Sequence, residues 1–347
     1  MKIAMTIKVR DEADIIADNL RYHAAQGVDF FVIAEHASVD PTREVLAPFV
    51  DAGLVHLVDV DEDDVLELTR RQMTRLAGIA AELGADWIIH NDADEFWWPV
   101  AGDLRDVFSA IPEEFGLLIA PRAEFIPRPG EAPWPERLLY REARALRRPK
   151  IAHRPHPRLH LHGVHPSSLW VEPPPTAVPT ESGPPKLRMT PGEQEREVEL
   201  VLAPRFPVRC LHFPLRSFDH YVQRIDIALR TEKIWGERGR RMAEAREQGK
   251  LAEVYDHLLV GEDELAEALE SGRLVKDGDF AAYLRACPDP LVGGTAPPGA
   301  RGWSDQRRRE ELIRLETDAM HSISRRLQQT AKDAERRKRR RREQAQG

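Results

Sequence analysis

The first 90 residues are dominated by an alternation of strand-like and helix-like segments. Residues 2–8 form a strand pattern, and residues 13–26 show helical spacing that Gly27 ends. The unit repeats until a fourth strand is reached. Strands are predicted at 30–34, 54–60 and 86–90, and helices at 42–52 and 66–83. This α/β alternation predicts a mostly parallel, Rossmann-like sheet with helices on both faces and right-handed crossovers.

Composition narrows the class of protein. The chain has 347 residues, 41% hydrophobic and 31% charged, which is typical of a globular protein of at most two domains. It has no apolar run of about 18 residues and no pattern of a signal peptide, so we expect a cytoplasmic protein. Cys210 and Cys287 are isolated and fit neither a zinc spacing nor a disulfide framework, which predicts core thiols.

The net charge of −7 hides an asymmetry. Residues 336–342 are seven consecutive bases, and without them the balance is 44 − 58 = −14. An acidic body argues against nucleic acid as the main partner. For the basic run we favour a disordered, solubilising end. The second interpretation is weak contact with an anionic membrane surface, which would make the protein peripheral at the inner face of the membrane. Binding of nucleic acid by this run is the third.

The amino-acid composition changes after residue 112, because 15 of the 27 prolines lie between positions 121 and 185. Residues 172–192 are predicted to form a long exposed loop or flap. A helix resumes after Ser217, which is suited to cap it. The predicted divisions are one domain in two halves, 1–112 and 113–240, then a helical extension at 241–287, a linker at 288–302, and a charged helix with a basic tail at 303–347.

Three of the predicted strands end in polar, charged residues, where an open parallel sheet binds its ligands. The fourth strand is the most informative, since Asp92, Asp94 and Glu95 place three carboxylates within four residues after an apolar segment. Their mutual repulsion is costly unless a cation compensates it. Ligation by oxygen favours Mg²⁺ or Mn²⁺. The alternative is a solvated acidic turn, but its place after the fourth strand favours the metal.

Four segments resemble the motifs of glycosyltransferase family 2-like proteins, including their family 92-like branch. They span roughly residues 2–235 and occur in the family's order. The segments are KVRDEADIIADNLRYHAAQGVDFFVIAEHASVDPT (8–42), GADWIIHNDADEFWWP (84–99), KIAHRPHPRLHLHGVHPSS (150–168) and HFPLRSFDHYVQRI (212–225).

The resemblance implies a GT-A fold and the transfer of a sugar from a UDP- or GDP-linked donor to an acceptor hydroxyl, usually with inversion. It implies a bound Mn²⁺ or Mg²⁺ held by Asp92, Asp94 and His212. The residues expected to bind the nucleotide sugar are Lys8, Arg10, Glu12, Glu35, Asp40, Asp92, Lys150 and Arg154. For Lys150 and Arg154, a surface strand is the open alternative.

A displacement of this kind also needs a base to take the proton of the acceptor hydroxyl. The candidates are Glu95, Glu124 and His165. In the turn after the second strand, Pro41 stands where the family has glycine and His36 where it has asparagine, which leaves recognition of the base and ribose open. Val164 stands where the branch often has asparagine, which leaves the role of the HGVH segment open.

Other side chains leave alternatives open. Five histidines lie between positions 153 and 165, and His160 and His162 have the spacing of a zinc-binding pair on one face of a strand. For His153, His156 and His160 we favour outward positions on a half-buried strand. Trp97 and Trp98 are suited either to stack on a sugar or, as such pairs usually do, to pack in the core.

The function expected from the sequence is therefore a metal-dependent glycosyltransferase. Two alternatives come from other classes. One is a non-catalytic glycosyltransferase-like scaffold, suggested by the altered turn from His36 to Pro41 and by Val164. The other is a metal-dependent phosphohydrolase built on the acidic and histidine clusters, which the lack of a hydrolase motif disfavours.

Overall fold

The computed structural model describes most of the chain. The described residues are 1–60, 65–113, 115–144, 149–156, 159–161, 169–171, 176–178, 186–188, 200–202, 207–230, 236–294 and 304–318. His162, His165 and the basic run 336–342 lie outside them, as do most of residues 172–192.

Strands and helices alternate through the first 92 residues, as predicted. The strands are β1 Ile3–Val9, β2 Phe30–Glu35, β3 Val55–Asp59, β4 Trp87–Asp92, β5 Glu95–Pro99, β6 Phe115–Ala120, β7 Arg122–Glu124, β8 Tyr140–Glu142, β9 Lys150–His153, β10 Leu159–Leu161, β11 Leu169–Val171, β12 Thr176–Val178, β13 Lys186–Arg188, β14 Leu200–Leu202, β15 Val208–His212 and β16 Leu274–Lys276. The helices are α1 Ile16–Ala25, α2 Thr42–Asp51, α3 Val65–Glu82, α4 Leu104–Ser109, α5 Trp134–Arg137, α6 Phe218–Arg230, α7 Gly236–Glu247, α8 Leu251–Asp256, α9 Glu262–Glu270 and α10 Asp279–Ala286, followed by a helix at 305–318.

Within the described ranges, the main sheet has nine strands in the order β12-β13-β14-β6-β9-β4-β1-β2-β3. Strands β3, β2, β1 and β4 are parallel neighbours, and β9 runs antiparallel between β4 and β6. The predicted fold class, α/β with a mostly parallel sheet, is therefore confirmed. Strand order reverses at β1, which lies between β2 and β4, so the carboxyl edge of these strands is the expected place for a ligand.

Alternate residues of β1 face two apolar clusters, one on each side of the sheet. Ile3, Met5 and Ile7 pack with α1 and α2, whereas Ala4 packs with Met73 and other residues of α3. The period of two along the strand thus produces the doubly covered sheet. Gly27 ends the first helix region with φ +93°, a conformation that glycine adopts without strain.

A second, three-stranded sheet has the order β5-β15-β7, and the chain enters it directly from β4 through a tight turn. β15 is antiparallel to β5 and parallel to β7. Cys210 on β15 is buried and free, and Cys287 is as well, which confirms both as core thiols.

Two segments differ from expectation. Residues 172–192 are not loop throughout, because β12 and β13 pair antiparallel at the edge of the main sheet. Both three-residue strands lack proline, and an edge position tolerates proline nearby. Residues 241–287 are not a separate extension, because Phe280 and Tyr283 of α10 pack against Tyr22 in the main core.

The region 303–347 is helical at 305–318, and residues 319–347 lie outside the described part. Glu311 of this helix pairs with the buried Arg209, 2.5 Å away, which ties the helix to β15. None of the helices that the structure describes combines the length and apolar character needed to cross a membrane.

Candidate functional site

The turn from β4 to β5 carries the acidic cluster, which consists of Asp92, Asp94 and Glu95. The side-chain amides of two buried asparagines bind the backbone of this turn. The Asn19 side chain donates to the carbonyl oxygens of Ala93 and Glu95, both at 2.8 Å. The Asn91 side chain also donates to the carbonyl oxygen of Glu95, at 2.8 Å. These bonds fix the backbone of the turn, so that Asp92 and Asp94 stand at the carboxyl edge of β4.

Lys150 neutralises part of this acidic cluster. Its Nζ lies 2.5 Å from Asp92 Oδ2 and 2.5 Å from Glu95 Oε2, and its side chain is fully buried. Burial would lower the pKa of Lys150, but Asp92 and Glu95 together raise it above its ordinary value. Lys150 is therefore a buried cation of the cluster and not part of a surface strand.

Asp94 faces a histidine from the second sheet. His212 Nε2 lies 3.3 Å from Asp94 Oδ2, and His212 Nδ1 lies 2.5 Å from Glu124 Oε2. The strand register explains this, since His212 is opposite Glu95 on β5 and opposite Glu124 on β7. Burial opposes the charge of His212, but Asp94 and Glu124 raise its pKa to about 9. Burial also opposes the charge of Asp94, but His212 first, and then Arg224 and Arg216, lower its pKa well below the usual range.

Arg216 joins this pair to the loop after β1. Its Nη2 lies 2.5 Å from Glu12 Oε2, and its Nε lies 2.7 Å from Asp14 Oδ2. Its Nη1 lies 4.0 Å from Asp94 Oδ2, and Arg224 Nη1 approaches the same oxygen to 3.9 Å. The sequence prediction missed both arginines. The segment that supplied His212 contains both of them, so an arginine within a few residues of a candidate ligand was the available signal.

The remaining predicted contacts at β1 and β2 also lie at the carboxyl edge. Lys8 is opposite Asp92 in the pairing of β1 with β4. Burial opposes the charge of Asp92, but Lys150, and to a smaller extent Lys8, lower its pKa below the ordinary value. Arg10 follows β1 directly and is half-buried. Glu35 ends β2, where its Oε1 accepts from the Ser38 amide at 2.7 Å.

Asp40 has a bracing role in this structure. Its Oδ2 accepts from the Ala13 amide at 3.0 Å, and its Oδ1 accepts from the Thr42 amide at 2.9 Å. The carboxylate therefore fastens the start of α2 to the loop after β1. It holds the two loops of this edge together, with Pro41 directly after it in the turn.

Two of the three candidate bases are engaged by cations. Glu95 is fully buried, and its Oε1 lies 3.3 Å from Arg122 while its Oε2 meets Lys150. Glu124 lies between Arg122, whose Nε is 2.9 Å from Oε1, and His212. Neither carboxylate presents an open oxygen to an acceptor hydroxyl. His165 lies outside the described residues and stays a prediction.

Arg154 is not part of this cluster, contrary to the expectation. It follows β9, which runs antiparallel to β4, so Lys150 and Arg154 lie at opposite edges of the sheet. The guanidinium of Arg154 donates to the Phe115 carbonyl at 3.1 Å and lies 4.7 Å from the centre of the Trp87 ring. It braces the amino edge of β4.

Three other side chains lie in the core. Trp97 and Trp98 are 0% and 6% exposed, which excludes the sugar-stacking interpretation for this conformation. His153 is 1% exposed, so the prediction of an outward-facing side chain is wrong. Its strand, β9, is an internal strand of the sheet, between β6 and β4. His153 Nε2 lies 2.8 Å from Nε2 of the equally buried His90. The side chains of His160 and His162 are not described, so the zinc interpretation is untested.

Asp94 and His212 fit a divalent cation that a diphosphate would complete. No group of three or more His, Cys, Asp and Glu side chains suited to hold a metal occurs among the residues that the structure describes. Mg²⁺ commonly takes one or two protein ligands together with substrate phosphates and water, and Mn²⁺ accepts the same oxygen donors. Asp94 and His212, whose Oδ2 and Nε2 lie 3.3 Å apart, would supply these two protein ligands. Asp92 is less suited, because its Oδ2 is bound by Lys150.

No protein-family model matches the sequence, and no curated protein matches it. Solved structures similar to part of the chain include S. aureus TarS in complex with UDP, with 12% identity over 39% of each chain and a TM-score of 0.31. Another is glucosyl-3-phosphoglycerate synthase from Mycobacterium tuberculosis with Mn²⁺, UDP and glucosyl-3-phosphoglycerate. This synthase is 14% identical to the present chain over 35% of the present chain and 44% of the synthase, with a TM-score of 0.25. The chain spans less than half of either protein, and the likeness is too partial to bear on function.

Proposed function

We propose that this protein is a GT-A-type glycosyltransferase that moves a sugar from a nucleoside-diphosphate sugar to an acceptor hydroxyl, with inversion and with a divalent cation. The observation that carries the proposal is the pairing of Asp94 with His212 at the carboxyl edge of the sheet. An acidic residue after β4 and a histidine from the following half of the chain meet at the edge where open α/β sheets bind ligands. The four sequence segments that resemble the family point to the same chemistry.

The surrounding charges suit a nucleoside diphosphate. Arg216 and Arg224 lie within 4.0 Å of Asp94, and Lys8 stands beside Asp92. A divalent cation held by Asp94 and His212 would stabilise the negative charge of the departing diphosphate. The loops after β1 and β2, which Asp40 and Arg216 fasten, would form the nucleoside side of the pocket. The donor is proposed to be UDP- or GDP-linked.

The base is assigned to His165, because Glu95 and Glu124 are held by cations. We expect His165→Gln to lower sugar transfer strongly while donor and Mn²⁺ still bind. Calorimetric titration of UDP and Mn²⁺, compared with a transfer assay, checks this. If His165→Gln transfers sugar at the wild-type rate, His165 is not the base and another residue takes the proton of the acceptor hydroxyl.

The decisive experiment is a thermal-shift panel of UDP- and GDP-sugars, each with and without Mn²⁺, followed by assay of nucleotide release. Stabilisation by one donor class that depends on Mn²⁺, with release of its nucleoside diphosphate, supports the proposal. Release of inorganic phosphate from many phosphoesters would support a phosphohydrolase instead. Absence of binding by every nucleotide, with Mn²⁺ present, would support a non-catalytic scaffold.

A further inference from the structure

Glu124 is placed to control the orientation of His212. β7 and β15 are parallel neighbours that set Glu124 directly opposite His212, and Glu124 Oε2 lies 2.5 Å from His212 Nδ1. An ionised carboxylate only accepts hydrogen bonds, so Nδ1 carries the proton and donates it. The other ring nitrogen, Nε2, faces the ionised Asp94 and carries a proton as well, which a bound divalent cation would displace.

We infer that Glu124 is a positioning residue that holds His212 as a metal ligand, with Nε2 directed towards the cation that Asp94 also binds. This inference rests on the proposed function. A metal-binding histidine nearly always donates its second ring N–H to a carboxylate, a carbonyl or water, which fixes the ring and makes the ligating nitrogen more basic. Glu124 and His212 have this arrangement, with Nε2 on the side of Asp94.

Glu124 is itself fixed, as a positioning group must be. Arg122 Nε lies 2.9 Å from Glu124 Oε1, and Arg122 Nη1 lies 3.3 Å from Glu95 Oε1. Lys150 holds the other oxygen of Glu95. The orientation of His212 is therefore tied to the same buried network that holds the acidic turn, and Glu124 contacts the side of Asp94 through His212 and the side of Glu95 through Arg122.

The test is the affinity for Mn²⁺, alone and with UDP, measured from the electron paramagnetic resonance signal of free Mn²⁺. E124L removes both the hydrogen bond and the charge, whereas E124Q keeps an amide oxygen that can accept from Nδ1. We expect E124L to weaken Mn²⁺ binding by about 10- to 100-fold and E124Q by less. The ¹⁴N modulation of the bound Mn²⁺ in spin-echo spectra, which reports the His212 nitrogen, should be lost or altered in E124L and retained in E124Q.

D277N is the matched control, because Asp277 forms a comparable buried ion pair with Arg141, at 2.6 Å, outside the cluster. It should bind Mn²⁺ like the wild type. Equal weakening in D277N would overturn the inference, since the loss would then be one of general stability. Wild-type Mn²⁺ affinity in E124Q and E124L would overturn it too, even if the protein transfers sugar. If E124L does not fold, E124A, which also removes the acceptor, takes its place, and unchanged Mn²⁺ affinity in E124A decides against the inference.

A wild-type protein that binds no Mn²⁺, with or without UDP, contradicts the metal dependence in the proposed function and the inference with it. A wild-type protein that binds Mn²⁺ but transfers no sugar contradicts the proposed activity alone. The two failures are therefore distinguishable.

Discussion

Lys150 and Glu95 form an ion pair in which both side chains are fully buried, with Nζ 2.5 Å from Oε2. Burial raises the pKa of Glu95, and Lys150 counteracts that rise. Removal of one member leaves the other charge in a site without water, which is more costly than the loss of an exposed pair. The pair also anchors the first strand of the second sheet to β9 of the main sheet.

Lys150→Met is therefore expected to lower the free energy of unfolding by about 3 kcal/mol or more. Adding Glu95→Gln should restore part of the loss, because the fully buried carboxylate of Glu95 is then no longer left without Lys150, although Asp92 still lacks that partner. Urea unfolding of the two single variants and the double variant measures the coupling. Arg246→Ala, which removes an exposed pair with Asp226, should cost no more than about 1 kcal/mol. Losses that simply add in the double variant would contradict this account.

Arg216→Lys should destabilise the protein by about 2 kcal/mol, because a lysine cannot reproduce the contacts with both Glu12 and Asp14. Arg224→Lys is the control, since that side chain is 53% exposed, and it should change stability by less than about 0.5 kcal/mol. Thermal and urea unfolding measure both. A result in which Arg224→Lys is the more harmful variant would show that Arg216 is not the link between these loops.

Asp94→Asn should lower Mn²⁺-dependent turnover of the nucleotide sugar by about 100-fold or more, since it removes the charge proposed to hold the cation. The fold should persist, because Arg216 keeps its pairs with Glu12 and Asp14. Steady-state kinetics and a melting curve check the two parts. Turnover like that of the wild type would exclude Asp94 from the proposed reaction.

Stability should fall as the pH drops below about 6.5, the ordinary value for histidine. His23 is buried and neutral, since Nε2 accepts from the Trp97 amide and Nδ1 meets Asn19, and burial lowers its pKa to about 3. Below pH 6.5 the unfolded chain therefore binds a proton that the folded chain does not, and the difference persists until the pH nears 3. Each such histidine contributes about 1.4 kcal/mol per pH unit to the slope.

Urea unfolding at pH 7, 6 and 5 measures this slope. His23→Gln should make it shallower by the contribution of one proton, whereas His257→Gln, at an exposed position, should leave it unchanged. Burial likewise lowers the pKa of His153 to about 4. The His23→Gln variant should therefore keep the part of the pH dependence of stability that comes from His153. An unchanged slope in His23→Gln would mean that His23 is protonated in the folded protein.

The fold was predictable from the sequence because its signals are local. The alternation along Ile3–Val9 and the spacing around Leu20 both come from neighbours within a few positions. Ser217 was predicted to cap α6, and its Oγ accepts from the His220 amide at 3.1 Å. The edge of the sheet that carries Asp92 and Asp94 follows in the same way, since parallel strands end at one edge.

The sequence by itself determined the order of the elements, the apolar faces and the acidic turn after β4. Only the tertiary structure decided which charges neutralise one another. Glu124 and His212 are 88 positions apart, and nothing along the chain marks them as partners. Their contact, and the place of Arg216 beside Asp94, depend on how β15 enters between β5 and β7. Electrostatic pairing acts through space over a few ångströms, so the packed sheets decide it and the spacing of residues along the chain does not.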